Sequence, residues 1–219
     1  MRAHRAGPEG PAVRSQVISV RFEWLMILVA VLGLAGCRSA PEAAGYLDQI
    51  VQARAAKDQT FSTSSDSPIP PNRRDEMLPL SYFPPDPEYR VAAALRVDPG
   101  QRPVIDMPTS TGQMRKMERV GVLAFSLKGH ALKLSAFVEA GTGVDRLFVP
   151  FSDMTTGTET YAAGRYLDLD RTPTGIYDLD FNRAYHPFCY FDSRYDCPYP
   201  PAENRLAVPV RAGERLPKT

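Results

Sequence analysis

The side chains able to do chemistry crowd into residues 150–214 of this 219-residue chain. Asp153 heads an Asp-x-Thr-x-Gly run ending at Gly157. Arg165 stands between Gly164 and Tyr166. Asp180, Asn182, Arg183, Tyr185 and His186 follow within seven positions, and Cys189 and Cys197 close the group. Asp153 or Asp180 could serve as a general acid or base, with His186 assisting, because a carboxylate or imidazole tuned by its surroundings can move a proton near neutral pH. A retaining glycosidase would need two such carboxylates about 5–5.5 Å apart, a distance sequence does not carry. Asp-x-Thr-x-Gly is equally an Asx-turn, in which the carboxylate caps backbone amides, and that reading is favoured. The other chemistry available is recognition: Arg165, Tyr166, Asp180, Asn182, Arg183 and Tyr185 form a polar and aromatic cluster that could line a pocket for a small polar or anionic group. An arginine–aspartate pair fixing strand register is the plainer use of the same residues.

No nucleophile sits in a Gly-x-Ser-x-Gly elbow, and no His-Glu-x-x-His, Cys-x-x-Cys, P-loop or dinucleotide fingerprint occurs. No cofactor and no metal is therefore expected. For Cys189 and Cys197 three readings stand: a disulfide, two free thiols, or a metal site made with His186. The disulfide is favoured by the chain's apparent destination.

That destination is written in residues 24–34, WLMILVAVLGL, an apolar run of signal-peptide length and shorter than the ~20 residues a membrane span needs. It ends in Leu34-Ala35-Gly36-Cys37, which resembles the bacterial lipobox; the Cys37 thiol would take the lipid and become the mature N-terminus. The expected layout is a signal peptide over 1–36, a lipidated tether over 37–44 and one domain over 45–219. A lipidated Cys37 gives a membrane-anchored protein of the cell envelope, on the outer membrane or the periplasmic face of a membrane where two are present. Translation is expected to start near Val20-Arg21, since the stretch before the apolar run is long. Without four arginines and two glutamates of the first 36 residues, the 26 basic and 25 acidic side chains become 22 and 23. So even a balance gives nucleic acid no electrostatic purchase.

These groups need elements to position them. Tyr46, Leu47, Ile50, Val51 and Ala55 recur at helical spacing, with Asp48, Gln49, Gln52 and Lys57 on the other faces, which predicts an amphipathic helix over 45–57. A Ser/Pro-rich loop over 62–71 and an extended segment with Tyr82, Phe83, Pro84, Pro85 and Pro87 follow. Strands are predicted over 90–96, 104–107, 118–127, 130–137, 146–151, 165–169, 176–181 and 206–210. Lys128-Gly129 supplies a tight hairpin, and Leu132, Leu134 and Ala136 alternate with Lys133 and Ser135. The 21 prolines suit short strands and turns. The fold class is mostly β: an antiparallel sandwich or barrel-like domain with one N-terminal helix.

An ordered series of residues carries a family resemblance. It runs through Phe151, Asp153, Thr155, Gly157, Thr160-Tyr161, Gly164-Arg165-Tyr166, Asp180-Phe181-Asn182, Ala184-Tyr185 and Pro187. It continues through Cys189, Cys197-Pro198, Pro200-Pro201, Asn204, Leu206 and Ala212-Gly213-Glu214, and more weakly back to Thr109-Ser110-Thr111-Gly112. The chain resembles the domain-of-unknown-function family numbered 1684; His186 departs from its usual asparagine. The resemblance implies one mostly-β domain and no established activity. The leading expectation is a binding protein of the envelope, for a small polar ligand or a partner protein; a hydrolase using Asp153 or Asp180, and a purely structural role, are the alternatives.

Overall fold

The computed structural model describes residues 41–219 other than Asp98, Gln101 and Thr219, and the side chains from residue 45 onward. The expected signal segment over 1–36, Cys37 and the start of the expected tether lie outside the described residues. Helix α1 (Pro41–Thr63) is longer at both ends than the spacing predicts. Its inward face is Tyr46, Ile50, Arg54, Lys57 and Phe61, at steps of four, four, three and four. Val51 stays exposed. Lys57 lies on the inner face, contrary to expectation, because Glu214 waits there at 2.5 Å. A 3-10 turn (Pro71–Arg73) runs into the single-turn helix α2 (Arg74–Met77). Among the described residues no helix is long and apolar enough to cross a membrane.

Seven strands follow: β1 (Arg90–Val97), β2 (Val104–Pro108), β3 (Met114–Leu127), β4 (His130–Glu139), β5 (Arg146–Phe151), β6 (Arg165–Asp170) and β7 (Ile176–Asp180). They make one antiparallel sheet in which six strands run in the order β6-β5-β4-β3-β1-β7 and β2 pairs with β3, and the sheet curls into a nearly closed barrel. The hairpin between β3 and β4 turns through Lys128 and Gly129, both at positive φ (48° and 83°), the geometry whose twist matches the strands it joins. The 14-residue β3 serves two partners on one edge. Its first residues pair with β2 and Gly121–Ala124 with β1, and the register against β4 shifts between Arg119 and Gly121. Gly121 is needed there, since a Cβ would sit 2.3 Å from the Arg96 carbonyl oxygen.

Leu123, Phe125, Leu134, Ala136, Val138, Leu147, Val149, Phe151, Leu167, Leu169, Tyr177 and Leu179 point into the barrel and form its core, following the period of two. The strand predicted over 206–210 is not formed. Its backbone groups find partners in two places: Leu206 N donates to Ser152 O at 2.8 Å and Val208 O accepts from Met154 N at 3.3 Å, while Asp153 Oδ1 accepts from the Val210 amide at 3.2 Å and Arg165 donates to the carbonyls of Val210 and, beyond it, of Ala212 and Glu214. Asn204 acts likewise between β4 and β5, where its Oδ1 accepts from Ser135 N at 2.7 Å and its Nδ2 donates to the carbonyls of Ser135 and Pro150. A buried backbone must find partners somewhere; here Asp153, Arg165 and Asn204 supply bonds that a continuous ladder would have made.

Candidate functional site

The six residues proposed as one cluster fall into three places. Arg165 faces the barrel interior and is 1% exposed. One of its terminal nitrogens donates to Asp153 Oδ2 at 2.9 Å and to Val210 O; the other donates to Ala212 O and Glu214 O. Four of its five N–H groups are thus spent on the protein and the fifth, on Nε, is buried without a partner, so none is presented to solvent. Burial works against its charge, and the Asp153 carboxylate offsets this. Asp153 also accepts from Thr155 N at 2.7 Å, the Asx-turn geometry, and is buried. Neither residue is placed to handle a substrate.

Asp180, Asn182 and Arg183 lie beneath α1. Asp180 Oδ1 accepts from Tyr46 Oη at 2.8 Å and from Asn182 N at 3.0 Å, and its Oδ2 accepts from Arg183 Nε at 3.2 Å. Asn182 in turn donates to Tyr46 Oη and to the Asp86 carbonyl. Arg54 reaches from the helix to the carbonyls of Phe83 and Asn182. This group fastens the helix to the sheet. Asp178, on the same face of β7, makes the cross-strand pair with Arg90 at 2.8 Å.

His186 is buried, and its Nε2 accepts from Tyr161 N at 3.3 Å, while its own backbone N–H donates to Glu214 Oε2. Burial, with Arg165 and Lys57 nearby, pushes its pKa down to about 3. It is a neutral packing histidine near pH 7, and Asp153, Asp180 and His186 are each tied into separate structural bonds.

Tyr166 and Tyr185 belong to a real cavity. Both faces of β5 and β6 carry large apolar side chains, so the outer face needs a cover, and residues 185–199 supply it. Tyr185 pairs with Tyr166 on the β6 edge, through two backbone bonds of 2.9 and 3.1 Å. At the far end Tyr199 N donates to Pro108 O and Ser110 N to Cys197 O, fixing the segment to the end of β2. Beneath this strap lies a cavity of about 320 Å³, walled by Phe148, Tyr166, Tyr185, Phe188 and Tyr195, with Arg115, Glu139 and Asp196 among its polar residues. Tyr166 donates to the Pro198 carbonyl and Tyr185 to Asp168 at 2.9 Å, so both hydroxyls are engaged. Burial holds both tyrosines protonated well above their ordinary range.

Cys197 also lines the cavity, and Cys189 lies against it, its amide donating to Cys197 Sγ at 3.2 Å, both sulfurs being free thiols. Hydrogen bonds from Cys197, Ser110 and Tyr161 favour the Cys189 thiolate and bring its pKa down to about 6, while the shared proton and burial push Cys197 up. Among the described residues no three His, Cys, Asp or Glu side chains converge as metal ligands. Phe148, Phe188, Tyr195, Arg115 and Glu139 were not singled out by sequence. The available signal was β5 itself: Leu147-Phe148-Val149-Pro150-Phe151 does not alternate in polarity, the mark of a strand covered on both faces.

No functionally curated protein matches the chain. An uncharacterized protein of Haloarcula marismortui, solved by solution NMR, is 40% identical, superimposes with a TM-score of 0.63, and is matched over 80% of this chain and 96% of its own. The family model described as a protein of unknown function, DUF1684, matches residues 76–215, which span the whole sheet, the strap and the Arg165–Asp153 pair, and the chain belongs to that family.

Proposed function

We propose that this protein is a non-catalytic binding protein of the cell envelope whose ligand site is the aromatic cavity under the 185–199 strap. The polar cluster of Arg165, Asp180 and Asn182 holds the fold. One observation carries the reading: a cavity of about 320 Å³ bounded by five aromatic rings, within the range and lining typical of small-molecule sites, in a chain whose candidate acids and bases are all engaged elsewhere. Titrating the ¹⁵N-labelled protein with a panel of small cationic, neutral and anionic compounds tests it. We expect amide shifts clustered at Phe148, Tyr195 and Cys197. Shifts confined to the open groove of Tyr161, Ala163 and Tyr199, or none at all, would sink it.

The address proposed with it is a lipid on Cys37, supported by the apolar run over 24–34 and by Leu34-Ala35-Gly36 before the cysteine. Two or three acyl chains would anchor the domain stably, where a single chain would not. In that exported setting we further propose that Cys189 and Cys197 oxidise to a disulfide, their contact and the stabilised Cys189 thiolate supporting it.

A further inference from the structure

The walls of the cavity have a definite chemical character. Phe148 meets Tyr166 at 4.7 Å with the rings 78° apart. Tyr166 meets Tyr185 at 5.8 Å and 87°, and Phe188 meets Tyr195 at 5.3 Å and 71°. Each edge-to-face contact sets one ring's positive edge on another's electron-rich face, and the faces not so used keep that character. Such faces attract cations. One wall ring already does so from outside the cavity, since the Lys57 ammonium, in the neighbouring cleft beneath α1, lies 5.1 Å from the Tyr185 centroid.

The charges around the cavity lean the same way. Among the described residues Arg115 is the one cation in the lining, and it is bound by Asp196, to the carboxylate at 3.0 Å and to the carbonyl at 2.9 Å. Glu139 adds a second carboxylate. Two carboxylates against one guanidinium leave the lining net negative, which disfavours an anionic ligand. The hydroxyls of Tyr166 and Tyr185 are committed to Pro198 O and Asp168. A primary ammonium would lose the water on its three N–H groups and find few acceptors here. A cation without N–H groups loses nothing of that kind.

We propose that the cavity takes a compact organic cation of the quaternary-ammonium class, its methyl groups against the rings and Glu139 supplying the long-range attraction. This rests on the cavity being the ligand site. The same chemistry is found in a free solute and in a lipid headgroup, and the test separates them.

The full-length protein in a maltoside detergent is titrated calorimetrically with choline, with its neutral isostere 3,3-dimethylbutan-1-ol, and with 3,3-dimethylbutyrate. We expect choline to bind at least tenfold more tightly than the isostere and the anion not to bind. Glu139→Gln should weaken choline about three- to tenfold with little effect on the isostere, and Phe188→Leu, at a 40%-exposed ring, should weaken both. Isostere and choline binding equally, or the anion binding best, overturns the cation while leaving the cavity as the ligand site. No binding of any of the three overturns both. With choline bound, competition by phosphatidylcholine vesicles and not by phosphatidylglycerol ones supports a headgroup; absence of competition supports a free solute.

Discussion

At the scale of single residues, the strongest constraints come from polar groups that the interior has enclosed. Arg165 and Asp153 form an ion pair with both side chains essentially inaccessible. Such a pair adds little beyond what apolar residues would give, but breaking it strands one charge in the core. Arg165→Ala should therefore lower the unfolding free energy by about 3–5 kcal/mol, or prevent folding, and it also frees three carbonyls of the C-terminal segment. A urea midpoint unchanged from wild type would show that the guanidinium holds nothing. His186 makes a pH-dependent contribution of known sign. Its folded pKa of about 3 lies below the ~6.5 of an unfolded histidine, so the unfolded state binds more protons between those values. The stability tied to its neutral form is complete above about pH 6.5 and drains as pH falls toward 3, at up to about 1.4 kcal/mol per pH unit. His186→Gln should flatten that part of the stability–pH curve. The His186 ring resonances of the wild type should not move between pH 8 and 5; a titration midpoint near 6.5 would contradict the burial described.

At the scale of elements, β3 shows how one residue sets a register. Gly121 lies where β3 leaves β2 and takes up β1, with the backbone at Arg96 and Val97 against its Cα. Gly121→Ala has no flexible neighbour to push aside, and should cost about 1–3 kcal/mol as an overpacked site does. Exchange protection should fall first in the β1–β3 pairs from Ala94 to Val97; uniform protection across the sheet would show that the strands part without strain. The strands were largely legible because alternation and turn residues are local signals. Residues 146–151 and the Lys128-Gly129 turn fell where expected. The failures share one physical cause, which is that backbone and charge were satisfied by groups distant in sequence. Residues 206–210 have strand-like composition, yet they make only scattered backbone bonds, to Ser152 and Met154, and Asp153 and Arg165 take the Val210 end. Lys57 looked like an outward charge because its partner, Glu214, lies 157 positions away. The candidate site was half legible for the same reason: Tyr166 and Tyr185 stood in a recognisable run, while Phe148 and Glu139 reach them through the pairing of β4, β5 and β6, and Tyr195 through the strap's crossing.

At the scale of the whole molecule, address and redox state can be read from one intact mass. If Cys37 is lipidated, protein extracted by detergent from a bacterium that processes lipoproteins should begin at Cys37 and weigh more than residues 37–219 by two or three acyl chains and a glyceryl group. Cys37→Ser should leave the chain uncleaved and without lipid, because the acceptor thiol is gone. A native N-terminus inside the domain or upstream of Cys37, without added mass, would refute the anchor and with it the envelope setting. The same spectrum reports on Cys189 and Cys197. Oxidation transfers two electrons and two protons from the thiols to an acceptor such as oxidised glutathione or a disulfide oxidoreductase, and the chain becomes two hydrogens lighter. We expect that loss, reversed by reductant, and a gain of about 2–3 kcal/mol over the reduced form for so short a loop. Thiols that stay reduced in exported protein would overturn the disulfide and leave Cys189 a stabilised thiolate beside the cavity. Those two states differ in what the strap can do. A disulfide ties residue 189 to residue 197, holding Phe188 and Tyr195 at one spacing. Reduced thiols let that wall breathe, so any ligand of the cavity should bind more weakly after reduction, a difference that the calorimetric titration would read directly.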